Sequence, residues 1–323
     1  DTRCRLPAEI LFVTSEEDLV SNGLKETLKR GSALCVVSET NHGWMETITG
    51  QILLANHRAQ RKPANFDVAV ITALSSELDA VLSLNYDWHA FRLAGDPTLY
   101  HRGTFASGQN KHTVIAASAL RKGMAASAAL ATKLVLKFQP KILAMTGICA
   151  GVKGKTNLGD VIVGSPTWDW GSGKHAQNDD GSGVFKLSPK QSDLNVSLGG
   201  ICDEIEHSKA FKASVRKNWS KDFPSGEFKC HVGPMASGAS VIANATIAEE
   251  IATQNRDLIG IEMEAFAVMV ATEYATSMPT LGVAIKSVCD YADKDKQDGW
   301  QPYAAYTSAM FTDELLKRYF SSI

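Results

Sequence analysis

Gly260-Ile261-Glu262-Met263-Glu264-Ala265, followed some twenty residues later by Lys286-Ser287-Val288-Cys289-Asp290-Tyr291-Ala292-Asp293, sets three carboxylates at the ends of apolar segments. Residues 258–263 read as a short buried strand, in which a period of two puts Glu262 and Glu264 on one face and Met263 on the other. Residues 280–288 read as a second strand that delivers Asp290 to its carboxyl end. Ligands of open α/β sheets sit beyond the carboxyl ends of strands, so these groups are expected to converge on one pocket.

Outward from this pair, apolar runs alternate with helical patterns. Val68, Val70 and Ile71 make a buried strand, and Leu74, Leu78, Val81 and Leu82 recur behind it at helical spacing, with Ser75 or Ser76 available as a cap. Residues 98–105 and 112–118 read as a strand pair, 123–138 as an Ala-rich helix, 141–146 as a strand entering a glycine turn, and 160–164 as another strand. Helical patterns return at 248–255, 265–275 and 304–319, while the Gly, Ser and Asp of residues 171–183 read as loop. This alternation predicts an α/β domain over residues 65–323. Residues 1–64 carry two strand-like runs around a polar helix, a βαβ appendage with either a structural or oligomerisation role or a degenerate receiver-like signalling one.

Composition narrows the function. Across 323 residues the net charge is −2, and Lys and Arg are scattered among acids, which argues against a phosphate-neutralising surface and hence against nucleic acid as a partner. Six widely spaced cysteines form no CxxC pattern and no disulfide framework, as expected of a reducing cytoplasm. The eight histidines show no metal-ligand spacing, so neither metal nor cofactor is expected. No apolar run reaches the ~18 residues of a membrane helix, and no amino-terminal stretch reads as a signal peptide, although the chain begins without Met.

The stretches "GIEMEAFAV" and "KSVCDYAD" resemble the "VEMEA" and "SD" signatures of the nucleoside phosphorylase and nucleosidase superfamily, which includes the methylthioadenosine/S-adenosylhomocysteine nucleosidases. "FDVAVITALSSELDAVLSL" (66–84), "GDPTLYHRG" (95–103), "KGMAASAAL" (122–130) and "TGICAGVKGKTNLGDVIVG" (146–164) follow in the family's order. With "DGWQPYAAYTSA" (298–309), the chain is most similar to nucleosidase-like domains fused or adjacent to bacterial and fungal defence modules. The resemblance implies a three-layer phosphorylase-type fold, with a twisted mixed central sheet flanked by helices. It also implies homo-oligomers and a purine nucleoside or nucleotide as the small-molecule partner.

It further implies roles for single residues. N-glycosidic cleavage passes through an oxocarbenium-like state, so the departing purine must be protonated and the sugar cation met by a nucleophile. Asp290 matches the general acid that addresses the five-membered ring of the base; the alternative reading is a loop Asp capping the next helix. Glu77 matches the glutamate that activates water, against the alternative of an exposed helix-start Glu in a capping box. Glu264 matches the residue gripping the ribose hydroxyls and Met263 the one packing under the sugar, with Glu262 as a supporting partner. Gly147, Ile148 and Cys149 form the glycine turn near the sugar. Val241 and Ile242 match the base-pocket strand; Val241 cannot stack on a base, so Trp300 or Trp168 is expected to supply that face.

Phosphorylases of the superfamily hold phosphate with arginines, and Met145 stands where one of these would be, which favours water as the nucleophile. Ile148 and Lys286 depart from the family pattern, which usually has a small hydroxyl residue and an arginine there. Arg121, Lys122, Lys153 and Lys155 could clamp a 5′-phosphate or be solvated surface charge. The expected activity is hydrolytic release of adenine. Its alternatives are a phosphorylase recruiting phosphate through Arg121, Lys122 or Arg102, and an idle nucleotide-binding sensor.

Overall fold

The computed structural model describes residues 66–220, 228–274, 280–293 and 298–322. The expected βαβ appendage of residues 1–64 lies outside them.

The chain enters through β1 (Val68–Thr72), whose five residues are all buried, and leads into α1 (Ser75–Leu82). The strands β2 (His89–Phe91), β3 (Tyr100–Ser107) and β4 (Asn110–Ser118) follow. α2 (Met124–Phe138) then leads to β5 (Ile142–Gly151) and β6 (Val161–Asp169). A hairpin of β7 (Gly173–Gln177) and β8 (Gly183–Leu187), the short β9 (Gln191–Ser192), α3 (Val196–Glu206) and α4 (Lys209–Asn218) come next. The last elements are β10 (Cys230–Ser237), α5 (Ala245–Gln254), β11 (Gly260–Glu262), α6 (Ala265–Tyr274), β12 (Leu281–Asp290) and α7 (Gln301–Ser321).

Ten strands share one mixed sheet in the order β11-β10-β6-β12-β5-β1-β4-β3-β2, with β9 attached to β6. Side chains of α1, α3, α4 and α7 pack on one face around Val81, Leu198, Phe211 and Phe311, and those of α2 and α6 on the other around Leu134 and Val268. This is the expected three-layer arrangement. One feature goes beyond it: β11 pairs with β10 and also, antiparallel, with β5 through Gly260↔Gly151 and Ile261↔Ala150, so five strands close into a ring.

Several local expectations are corrected. The strand entered at Lys141 does not turn at Gly147 but runs on to Gly151. The strand expected through Met263 stops at Glu262, because the Glu262 carboxylate accepts the N–H groups of Glu264 and Ala265 and starts α6. The glycine-rich stretch after Gly171 contains the β7–β8 hairpin, a two-stranded sheet of its own. α3, α4 and β10 are not among the elements expected from the sequence, although α4 sets Phe211 and Val215 one turn apart on its buried face behind a Ser208 cap.

Candidate functional site

The carboxyl ends of β1, β5 and β12, together with β11 and the turn after it, surround an open cavity whose space, counted out into the solvent at its mouth, is about 710 Å³. Glu77, Ile148, Cys149, Val241, Ile242, Glu262, Met263, Glu264 and Asp290 all line it, as does Lys122. The sequence-predicted acid and base therefore open onto a single cavity although 213 positions separate Glu77 and Asp290 in the chain.

Glu77 is 2 % exposed. Its Oε2 accepts the N–H groups of Ala73 and Leu74, each at 2.8 Å, and its Oε1 accepts that of Ile148, also at 2.8 Å. The reach back to Leu74 is half of a capping box, so the two readings of this residue merge: it caps α1, yet it is buried and faces the cavity. Oε1, with one backbone donor, keeps a lone pair to accept from a water. Burial pushes the Glu77 carboxyl up from its ordinary value, against the pull of the Lys286 ammonium and the three backbone donors. Gly147 makes this possible, since a Cβ there would lie 2.2 Å from Oε1.

Lys286, fully buried in β12, is the electrostatic centre of the site. Its Nζ lies 3.2 Å from Glu262 Oε2 and 3.3 Å from Glu264 Oε2. Burial pulls the ammonium down, but Glu262, Glu264 and Glu77 outweigh it and hold Lys286 well above the ordinary lysine value. Glu262 is pushed up by burial, partly offset by Lys286, and also accepts from the Ser237 hydroxyl. Glu264 Oε1 takes the N–H of Gly123 at 2.9 Å, which ties the turn after β11 to the start of α2.

Asp290, 7 % exposed, ends β12. Its Oδ1 accepts the N–H of Ala292 at 2.9 Å, and the Cys289 thiol lies 3.4 Å from its Oδ2.

Other expected residues are placed elsewhere. Trp168 is 1 % exposed and packs behind the wall with Ile242 and Ala292, its Nε1 donating to Gln254 Oε1 at 3.2 Å. Trp300 meets Tyr303 edge-on at 6.2 Å and also stays off the lining, so neither of the indoles expected at the stacking face lines the cavity. Among the described residues no aromatic side chain and no arginine lines the cavity. The four-residue clamp does not assemble there: Lys153 pairs with Asp293 at 2.6 Å, Lys155 donates to the carbonyls of Arg256 and Leu258, and Arg121 is off the lining. Only Lys122 reaches it. Arg102 lies on β3, also away from it.

Cys289 and Gln301 line the cavity without having been singled out in the sequence. Cys289 had a signal, its place immediately before Asp290; Gln301 had none beyond the resemblance of its segment. Among the described residues no group of His, Cys, Asp or Glu is arranged to hold a metal ion, and no helix is long and apolar enough to cross a membrane.

Comparison with known proteins agrees with this architecture. Over 97 % of its length the chain is 34 % identical to protein y4jS of Sinorhizobium fredii, of which it covers 80 %. It is 24 % identical over 84 % of its length to the ATP nucleosidase Cap17 of Escherichia coli, of which it spans 55 %. The crystal structure of 5′-methylthioadenosine/S-adenosylhomocysteine nucleosidase from Neisseria meningitidis, in complex with methylthio-immucillin-A, superposes with a TM-score of 0.59 at 20 % identity, covering 78 % of this chain and 98 % of that one. The sequence model of the Phosphorylase superfamily matches residues 67–317, and to that superfamily this chain belongs.

Proposed function

We propose that this protein hydrolyses the N-glycosidic bond of an adenine nucleoside or nucleotide, releasing the free base and a ribose or phosphoribose. One observation carries the reading: Glu77 and Asp290, both buried, open onto the same cavity, which Glu264 also lines. Asp290 gives a proton to the departing base. Glu77, ionised, draws a proton from water as it attacks the anomeric carbon, and Glu264 holds the ribose hydroxyls. Lys286 keeps three neighbouring buried carboxylates compatible.

Water is favoured over phosphate because the cation lining the cavity among the described residues is the single Lys122, and a lone lysine lacks the forked geometry that holds an oxyanion in register. ATP is the first substrate to test, since the similar E. coli protein is named an ATP nucleosidase. Depletion of the nucleotide pool in defence belongs to this reading. So does a homo-oligomer, supported by the exposed apolar side chains of Leu120, 77 % exposed, and of Val241, 56 % exposed, which lines the cavity; sedimentation velocity tests it.

Incubation with adenosine, methylthioadenosine, AMP and ATP, with and without inorganic phosphate, decides the reaction. Adenine release that is independent of phosphate is the expected result. A strict phosphate requirement makes the protein a phosphorylase, and binding without release makes it a sensor.

A further inference from the structure

The basic residues of this chain, elsewhere mixed with acids, gather on one helix. The ten residues of α4 include Lys209, Lys212, Arg216 and Lys217 and no acid. Phe211 and Val215 take the buried side of the helix. Spacings of three and four put Lys209, Lys212 and Arg216 together on another face, where they line an open cleft with Lys229, just before β10, and with His207 and Glu206. This cleft shares no lining residue with the cavity of Glu77 and Asp290.

Fold stability gives no reason for this arrangement. Lys209 and Lys212, like Lys212 and Arg216, are like-charged neighbours along one helix and repel. Lys209 also stands in the first turn, where the helix dipole disfavours a cation and where α4 has no acid to offset it. Among the described residues Lys209, Lys212 and Lys229 have no carboxylate within ion-pairing distance, although Glu206 lines the same cleft.

The backbone beneath these cations is anchored. Ser208 Oγ accepts the N–H of Phe211 at 3.2 Å and caps α4, while the Phe211 ring meets Phe228 and Phe311 edge-on, each at 6.0 Å. Lys229 is fixed on both sides of its peptide: its N–H donates to Asp160 Oδ1 at 2.7 Å, and its carbonyl accepts the N–H of Val161 at 2.8 Å. Two separate elements therefore present ammonium groups to one space, and only the side-chain stems need ordering to close on an anion.

We propose that this cleft binds a polyphosphate group, free or carried by a nucleoside triphosphate, at a site separate from the cavity of Glu77. From Lys209 to Arg216 the row runs seven residues, about 10 Å at 1.5 Å per residue, which suits a chain of linked phosphates better than a single carboxylate. Ammonium groups meet phosphate oxygens as point charges, and Arg216 adds a guanidinium. An anion seated there relieves the repulsion along α4 and complements its dipole. The site does not depend on the reaction assigned to the other cavity.

The test is calorimetric titration of the full chain with inorganic tripolyphosphate at low and at high salt. It compares the wild type, Lys122→Ala, the charge-reversed pair Lys212→Glu with Lys229→Glu, and the milder pair Lys212→Gln with Lys229→Gln, each checked for folding by thermal unfolding. Saturable binding is expected in the wild type, weakened by salt, unchanged in Lys122→Ala and weakened about tenfold or more in both paired variants. Binding that is absent at low salt, or that the paired variants retain at wild-type strength, overturns the proposal. So does a loss in Lys122→Ala alone, which places the anion in the other cavity. Once tripolyphosphate has met these expectations, titration with ATP in the Asp290→Asn background separates the two sources. ATP binding that weakens with the paired substitutions shows that the cleft accepts a nucleotide-borne chain, and ATP binding indifferent to them leaves the free chain as its ligand; either upholds the site.

Discussion

Gly147 leaves room for the Glu77 carboxylate: a Cβ on this β5 residue would stand 2.2 Å from Oε1 and 2.6 Å from the carboxyl carbon. Neither strand geometry nor turn chemistry calls for glycine here. Gly147→Ala is therefore expected to displace Glu77 and lower kcat by about 10²-fold or more, the usual worth of a general base, with the fold retained. Steady-state kinetics beside thermal unfolding checks this; a variant with wild-type kcat would separate Glu77 from the chemistry.

Replacement of the proposed acid and base should be more severe. Asp290→Asn and Glu77→Gln keep shape but remove the proton-transfer capacity, and each is expected to cost ~10² to 10⁴ in kcat. Because Glu77 also accepts three backbone N–H groups, Glu77→Gln should lose stability as well, whereas Asp290→Asn should leave unfolding close to wild type. Urea titrations of both variants read the difference.

Lys286→Met is the expected worst case for folding. It leaves Glu262, Glu264 and Glu77 buried without their cation, at a cost of about 3–5 kcal/mol. Burial already holds the Glu77 and Glu262 carboxyls above their ordinary values, and removing the ammonium that offsets it raises them further, so their contribution is present below the ordinary glutamate range and is lost as pH rises through the folded value. The variant should accordingly be closer to wild type in urea at pH 5 than at pH 8. A deficit that is the same at both would contradict this electrostatic account.

Asp96 should behave in the opposite sense. Its carboxylate accepts from Lys133 at 2.9 Å, Lys137 at 3.1 Å, the Tyr100 hydroxyl at 2.8 Å and the Thr98 N–H at 3.0 Å, tying the loop before β3 to α2. Although burial works against it, these donors hold the carboxyl far below its ordinary value. Its stabilisation is present above the unfolded value of about 4 and disappears as pH falls below it. Asp96→Asn should destabilise by ~1–3 kcal/mol at neutral pH and converge on wild type in acid, read by thermal melts across that range.

Much of the fold was legible because the buried strands β1, β5 and β12 are short apolar runs beside amphipathic helices. Glu77, Glu264 and Asp290 were legible through their motifs; periodicity alone would have left Glu77 as a helix cap, which it also is. What escaped depends on tertiary contact. Gly147 reads as a turn until the carboxylate above it is seen, and Trp168 reads as a stacking face until its indole is found behind Ile242. Nor does charge in sequence reveal partners: Lys155 gives its ammonium to two backbone carbonyls, while Lys122 lines the cavity.

The antiparallel seam between Gly260 and Gly151 has a consequence for how this protein can change over time. In a closed circuit of strands there is no free border along which a segment can slide. Adding or deleting one residue within β5, between its pairing with β12 and the seam, would swap inward for outward side chains in neighbouring ladders at once. The outlying β7–β8 hairpin pairs only with itself in a separate sheet, and so can lengthen, shorten or vary while the strands that carry the proposed site stay in step.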